Sequence, residues 1–307
     1  MIHGGGHTML SRKDIRPRQT QLLLENGFLP VSIDYRLCPE INIVDGAMTD
    51  VCDALEWCRN ELPNISFNLP TNGLRIDTSK IAVVGWSTGG TLALSLGFTT
   101  LQRGIAPPSV TLAFYCPSNY EDPFWSRPNF PENSKELVPD SYDLLEAVQN
   151  KPITGYNVDT RKRAVGGWCS MADPRSRIVL HMNWTGQALP ILLNGLPPNS
   201  QSGDQSKYLA LPQPAHDRVV AISPRSQILK GNYKTPTFLI HSDVDDLVPL
   251  QQARDTYEAL KSRGIESGLS VVEGVPHLFD LYRDREDGRG WKAVREGYQF
   301  LVEIMSR

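Results

Sequence analysis

Residues 85–90 read Gly85-Trp86-Ser87-Thr88-Gly89-Gly90 and directly follow the apolar run Ile81-Ala82-Val83-Val84. This order predicts a buried strand, a Gly-x-Ser-x-Gly turn and then a helix, with the serine at a sharp corner above the sheet edge. Glycines flank the serine because backbone approaches too closely there for side chains. Ser87 is then a candidate nucleophile, and the rest of the chain has to supply a base, an acid and an oxyanion site.

Strand and helix signals alternate on both sides of that turn. Residues 11–26 read as a helix closed by Gly27, Phe28–Leu37 as a strand, and 46–62 as an amphipathic helix carrying Met48, Val51, Cys52, Leu55 and Cys58. A linker over 63–78 leads to the strand before Ser87. Thr88–Thr99 continues as a helix and Val110–Cys116 as a strand. From Pro117 to about Lys230 no clean period is visible. Alternation returns with a strand at Thr237–Ile240 and a helix from Pro249 to Gly264 that buries Ala253, Tyr257 and Leu260. A strand at Leu269–Val272 follows, then a helix at 289–306 with Trp291, Val294, Tyr298, Leu301 and Met305 along one face. The pattern predicts a mostly parallel sheet with helices on both faces. It divides the chain into a first core part, 1–116, an inserted cap, 117–230, and a second core part, 231–307.

A serine hydroxyl is hardly ionised at neutral pH and needs a base beside it. His277 qualifies, because it follows the last predicted strand through Glu273-Gly274-Val275-Pro276. A carboxylate must orient that imidazole. Asp243, Asp245 and Asp246 all follow the strand at 237–240; Asp245 is favoured because it stands three residues before Val248-Pro249, where the next helix starts. Serine, then acid, then base is the chain order expected on this scaffold. The oxyanion needs unobstructed N–H donors. Gly4 and Gly5 in the loop His3-Gly4-Gly5-Gly6-His7, with Thr88, are the candidates.

Together, His3-Gly4-Gly5-Gly6, Asp34-Tyr35-Arg36-Leu37-Cys38-Pro39-Glu40, Gly85 to Gly90, Asp245-Asp246-Leu247-Val248-Pro249 and His277-Leu278-Phe279 resemble the hormone-sensitive-lipase-like branch of the α/β hydrolases. The stretches Leu10–Ile15 and Gly27–Ser32 look like the thioesterase-type releasing domains at the C-terminus of fungal non-reducing polyketide synthases. The resemblance implies an α/β-hydrolase fold and acyl transfer or hydrolysis at a thioester or ester. It implies a polyketide on an acyl-carrier protein as substrate and partner, and no cofactor. A free-standing carboxylesterase for small hydrophobic esters is the alternative. Ligand-binding members of the family, such as the plant gibberellin receptor, lack the histidine, so His277 favours an enzyme over a binding module or an inactive remnant. The chain departs from the family in three ways. Trp86 stands where Asp is usual, the cap is longer, and the strands that precede the oxyanion loop are missing. A truncated chain or strands supplied by a partner are therefore expected.

Composition narrows the remaining classes. The net charge of −3 over 307 residues gives no basic surface for nucleic acid, and no apolar run nears the ~18 residues of a membrane span. With no secretory leader visible, the cysteines at 38, 52, 58, 116 and 169 read as reduced thiols in a cytoplasmic protein. The Asn-x-Ser/Thr matches at Asn64 and Asn183 are then incidental. Asp34-Tyr35-Arg36 reads as structural, and His241 as packed at a strand end. His181 and His216 lack a carboxylate pattern for metal, so no metal is expected. Trp125, Trp168, Trp184 and Ala188–Leu193 would line either an acyl pocket or a small cap core.

Overall fold

A computed structural model describes residues 1–65, 75–130, 147–158, 173–196, 211–282 and 288–307. In chain order the elements are α1 (Pro17–Glu25), α2 (Thr49–Asn60), β1 (Ala82–Trp86), α3 (Thr88–Gln102), β2 (Val110–Phe114), α4 (Pro174–Thr185), α5 (Ala188–Asn194), α6 (His216–Ile222) and α7 (Pro224–Leu229). Then come β3 (Thr237–Ser242), α8 (Leu250–Ser262), β4 (Ser267–Val272), α9 (Phe279–Tyr282) and α10 (Arg289–Met305). The four strands form one parallel sheet in the order β1-β2-β3-β4. Val110 pairs with Ala82, Thr237 with Thr111, and Ser267 with Thr237.

Both faces of the sheet are covered, as parallel sheets require. Alternate residues of each strand point to opposite faces. Val83, Ala113 and Leu239 join a core with α2, α3 and α8, whereas Val84, Leu112, Phe114 and Ile240 join one with Trp291, Val294, Tyr298 and Leu301 of α10. Gly297 lets α10 approach the sheet: a Cβ there would come within 2.7 Å of Leu112 Cδ1. In α8 the buried face is Gln252, Ala253, Thr256, Ala259 and Leu260. Tyr257 is only partly buried and lies under Lys261 Nζ, 5.2 Å from the ring centroid.

Two expected elements come out differently. The helix expected over 11–26 starts only at Pro17, because the residue before a proline is driven to extended backbone; Arg16 has φ −103° and ψ 99°. Its end is as expected: Gly27 at φ 77° lets Phe28 N–H reach Leu23 O at 3.0 Å and Gly27 N–H reach Leu24 O at 3.1 Å. The strand expected over Phe28–Leu37 is reduced to a single bridge, Ile33 to Ile2. Val31 O accepts the Met1 amine at 2.8 Å, and Ile33 N–H donates to Met1 O at 3.3 Å. Beyond Ile33 the backbone donors go elsewhere, Arg36 N–H to Asp50 Oδ2 at 2.6 Å and Leu37 N–H to Ile153 O at 2.8 Å. Ile2 also bridges Gly85, donating to Val84 O at 2.9 Å. That bridge anchors the glycine loop beside β1. Among the described residues no helix is long and apolar enough to cross a membrane.

Candidate active site

Parallel strands carry their following loops to one sheet edge, where ligands bind. The loop after β1 brings Ser87 there with φ 52° and ψ −128°. The corner is tight: a Cβ on Gly85 would come 2.1 Å from Gly89 O. Ser87 N–H donates to Phe114 O at 2.9 Å, which ties the corner to the end of β2. The loop after β3 brings Asp245, and the loop after β4 brings His277.

These three side chains meet. His277 Nδ1 lies 2.7 Å from Asp245 Oδ2, and His277 Nε2 lies 3.0 Å from Ser87 Oγ. A carboxylate only accepts, so Nδ1 carries the proton and Nε2 accepts from the serine hydroxyl. Asp245 Oδ1 accepts the N–H groups of Leu247 and Val248, at 2.9 Å each. His241 Nε2 lies 3.4 Å from Asp245 Oδ2 and donates to Val248 O at 2.9 Å. Burial by itself would raise the Asp245 pKa, but His277, His241 and the backbone donors hold it below the ordinary carboxylate value. Burial also keeps His241 below the ordinary histidine value, against the pull of Asp245. Of the rival carboxylates, Asp243 accepts Gly274 N–H at 2.7 Å, and it and Asp246 are exposed.

The glycine loop lies against the serine corner. A Cβ on Gly4 would come 2.7 Å from Trp86 O and 3.0 Å from Ser87 Cβ. Gly5 has φ 99°, and its carbonyl accepts the N–H groups of Thr8 at 3.0 Å and Met9 at 3.1 Å. The N–H groups of Gly4 and Gly5 take no part in the loop's backbone bonding, and Thr88, first in α3, has no intrahelical acceptor for its own. Tyr35 stacks on His3 at 4.3 Å and sets its hydroxyl 2.9 Å from His3 O and 3.1 Å from Gly4 O. The structural role expected of Asp34-Tyr35-Arg36 thus includes bracing this loop. From α4, the buried Arg175 pairs with Glu40 and donates to Thr8 O at 2.8 Å and Cys38 O at 2.9 Å.

Behind His277 lies a buried polar network that sequence reasoning missed. The Tyr115 ring meets the His277 ring edge-on at 4.6 Å, and its hydroxyl donates to Asp280 Oδ1 at 2.6 Å. Asp280 Oδ2 accepts from Gln19 at 2.7 Å and Arg16 Nε at 3.3 Å. Gln19 Oε1 in turn accepts Trp86 Nε1 at 3.1 Å and the Tyr298 hydroxyl at 3.2 Å. Trp86, unusual before a nucleophilic serine, is therefore a hydrogen-bonded member of this network, with Arg16 over its ring at 5.2 Å. Burial, then the Asp280 charge, pushes the Tyr115 phenol well above its ordinary value.

In front of Ser87 is a narrow, partly open cleft. Trp125, Ala188 and Leu192 line it, as the pocket reading expected. Trp184 does not; it packs on Phe130 at 6.4 Å. Trp168 lies outside the described residues. His7, Tyr120, Val179 and Met182 are wall residues that sequence reasoning did not find. Only the pairing of His7 with the glycine loop could have pointed to one of them.

A model described as the alpha/beta hydrolase fold matches residues 1–149, and one for the prolyl oligopeptidase family matches 202–307. Two solved esterases share the fold. A bacterial heroin esterase has a TM-score of 0.59 and 19% identity over 99% of this chain and 73% of its own. Carboxyl esterase 2 of Tuber melanosporum has a TM-score of 0.56 and 16% identity over 99% and 75%. The chain has the α/β-hydrolase fold. It is 55% identical over 308 residues, 98% of its length, to a 5-methylorsellinic acid synthase of Aspergillus terreus. It is 52% identical over all of its length to a non-reducing polyketide synthase of Emericella nidulans. It spans 12% of the length of each of these relatives.

Proposed function

We propose that the chain is a serine hydrolase that releases a polyketide acyl group held as a thioester on an acyl-carrier protein. The observation that carries the reading is His277, bonded to Asp245 on one ring nitrogen and to Ser87 on the other. Ser87 Oγ attacks the thioester carbonyl while His277 Nε2 takes its proton. The N–H groups of Gly4, Gly5 and Thr88 stabilise the oxyanion. Collapse expels the thiolate, which receives that proton from His277. Water then attacks the acyl-enzyme with His277 as base, the acid leaves, and the proton returns to Ser87. Asp245 holds the imidazole in the required tautomer throughout. Residues 117–230 act as the cap: within them α4 and α5 border the cleft, whereas α7 packs beside α8 on the core. Relatives at 51–52% identity are named as non-reducing polyketide synthases, which supports a carrier-bound thioester.

The solved neighbours named as esterases favour a second reading, a carboxylesterase for small hydrophobic esters. A fluorophosphonate probe tests both. Wild type is expected to label at Ser87, and Ser87→Ala is expected not to. A folded wild type that resists the probe removes the hydrolase reading. Faster turnover of an aryl ester, with none of an acyl-carrier thioester, selects the carboxylesterase.

A further inference from the structure

The turn that ends β2 touches two of the three residues that meet at the site. Phe114 O accepts Ser87 N–H at 2.9 Å, and the next ring, Tyr115, stands 4.6 Å from the His277 ring. Tyr115 sits at φ 36°, a region that bulky side chains rarely enter. Leu278, directly after His277, is also left-handed, at φ 59°. Backbone persists in such regions only where its surroundings over-determine it, and it collects at active sites. A glycine at 115 would relieve the turn, so the tyrosine side chain has to be explained.

Core filling does not explain its hydroxyl, because phenylalanine fills the same space with no polar group to bury. Tyr115 is fully buried, and its hydroxyl donates to Asp280 Oδ1 at 2.6 Å and accepts from Arg16 Nη2 at 3.3 Å. Burial, then the Asp280 charge, keeps the phenol protonated, so it remains a donor. Asp280 is fixed in turn by Gln19 Nε2 at 2.7 Å and Arg16 Nε at 3.3 Å. Phe279 packs edge-on against the Tyr115 ring at 5.7 Å. The ring is thus held at its tip by hydrogen bonds and at its side by an aromatic neighbour. The imidazole needs such a fixed surface. Its bonds to Asp245 and Ser87 place the two ring nitrogens, but the plane can still rock about the line between them. Rocking turns the Nε2 lone pair, which lies in that plane, away from the serine proton.

We infer that Tyr115 is a positioning residue for the base: its ring, anchored on Asp280, fixes the plane of the His277 imidazole so that Nε2 faces Ser87 Oγ. Loss of the anchor slows proton transfer from the serine and leaves binding in the cleft unaltered. The inference rests on the reading of Ser87 as nucleophile and His277 as its base.

The test is the rate at which a fluorophosphonate labels Ser87 in the 307-residue chain. A range of probe concentrations separates the maximal rate from the half-saturating concentration. Tyr115→Phe keeps the ring and removes its anchor. It is expected to lower the maximal rate about tenfold at an unchanged half-saturating concentration. Tyr233→Phe is the control for lost stability: that hydroxyl is also buried, but it lies 2.6 Å from Thr237 Oγ1 and against Gly97 of α3. Labelling at the wild-type rate is expected there. Asp280→Asn keeps an amide partner for the Tyr115 hydroxyl and is expected to slow labelling by no more than about threefold. It decides the matter if Tyr115→Phe does not fold. The inference is overturned by a loss under about threefold in Tyr115→Phe, an equal loss in Tyr233→Phe, or a loss of about tenfold in folded Asp280→Asn. A change confined to the half-saturating concentration also overturns it. A wild type that labels no faster than Tyr115→Phe loses only this inference, whereas a wild type that does not label loses the hydrolase reading and this inference with it.

Discussion

The two sides of His277 are built on opposite rules. Behind the ring, Arg16, Gln19, Tyr115, Asp280 and Tyr298 are buried, and every polar atom of this network has a partner. In front, the His7–Tyr120 pair is equally buried but leaves a nitrogen unmatched. A fully matched network in a low-dielectric interior rigidifies what it touches. An unmatched atom costs free energy until something binds it. The two walls therefore differ: the rear one holds the imidazole still, and the front one leaves a buried nitrogen without a partner among the described residues.

Substitutions sharpen or break that contrast, and the largest effect is expected at the shared centre. Asp245→Asn leaves the imidazole in the wrong tautomer and is expected to lower kcat about 10⁴-fold, read from steady-state turnover. Gly4→Ala comes next. Its methyl would press on Trp86 O and Ser87 Cβ and displace an oxyanion donor, with kcat falling about 10²–10³-fold and folding largely retained. At the rear, Asp280→Ala strips Arg16 and Tyr115 of a shared buried partner. It is expected to cost about 3–5 kcal/mol of stability, measured by urea unfolding; a loss under 1 kcal/mol would break the contrast.

Per pH unit, the smallest effect is in the pH dependence. Because the folded-state His7 pKa is lowered to about 3, the unfolded chain binds the extra proton between the ordinary value, about 6.5, and about 3. Stability then falls as pH drops through that window, by at most about 1.4 kcal/mol per unit from this group. His7→Gln is expected to flatten the acid limb of the urea midpoint against pH. An unchanged slope would mean that His7 is not held neutral.

The reacting residues between the two walls were legible in the sequence, the rear wall was not, and of the front wall only Trp125, Ala188 and Leu192 were. Ser87, Asp245 and His277 stand in loops that follow strands with clear apolar runs, and loops after parallel strands converge on one edge by topology alone. Gly4 and Gly5 were legible because close backbone approach admits little else. The choice of Asp245 over Asp243 was favoured by spacing, and it agrees with the carboxylate that meets His277. Tyr115, Asp280 and Gln19 carried no signal, since their partners lie up to 279 positions away. The strand expected over 28–37 had the right composition, yet composition does not show that Arg36 and Leu37 would donate to Asp50 and Ile153.

By itself the sequence determined the period of most core elements, the helix stop at Gly27 and the serine corner, because these follow from backbone sterics and local spacing. Tertiary structure alone decided which polar groups meet in the interior. It joined Trp86 to Gln19, Tyr115 to Asp280 and His7 to Tyr120. A buried hydrogen bond depends on the approach of two distant segments, and no local pattern encodes that distance.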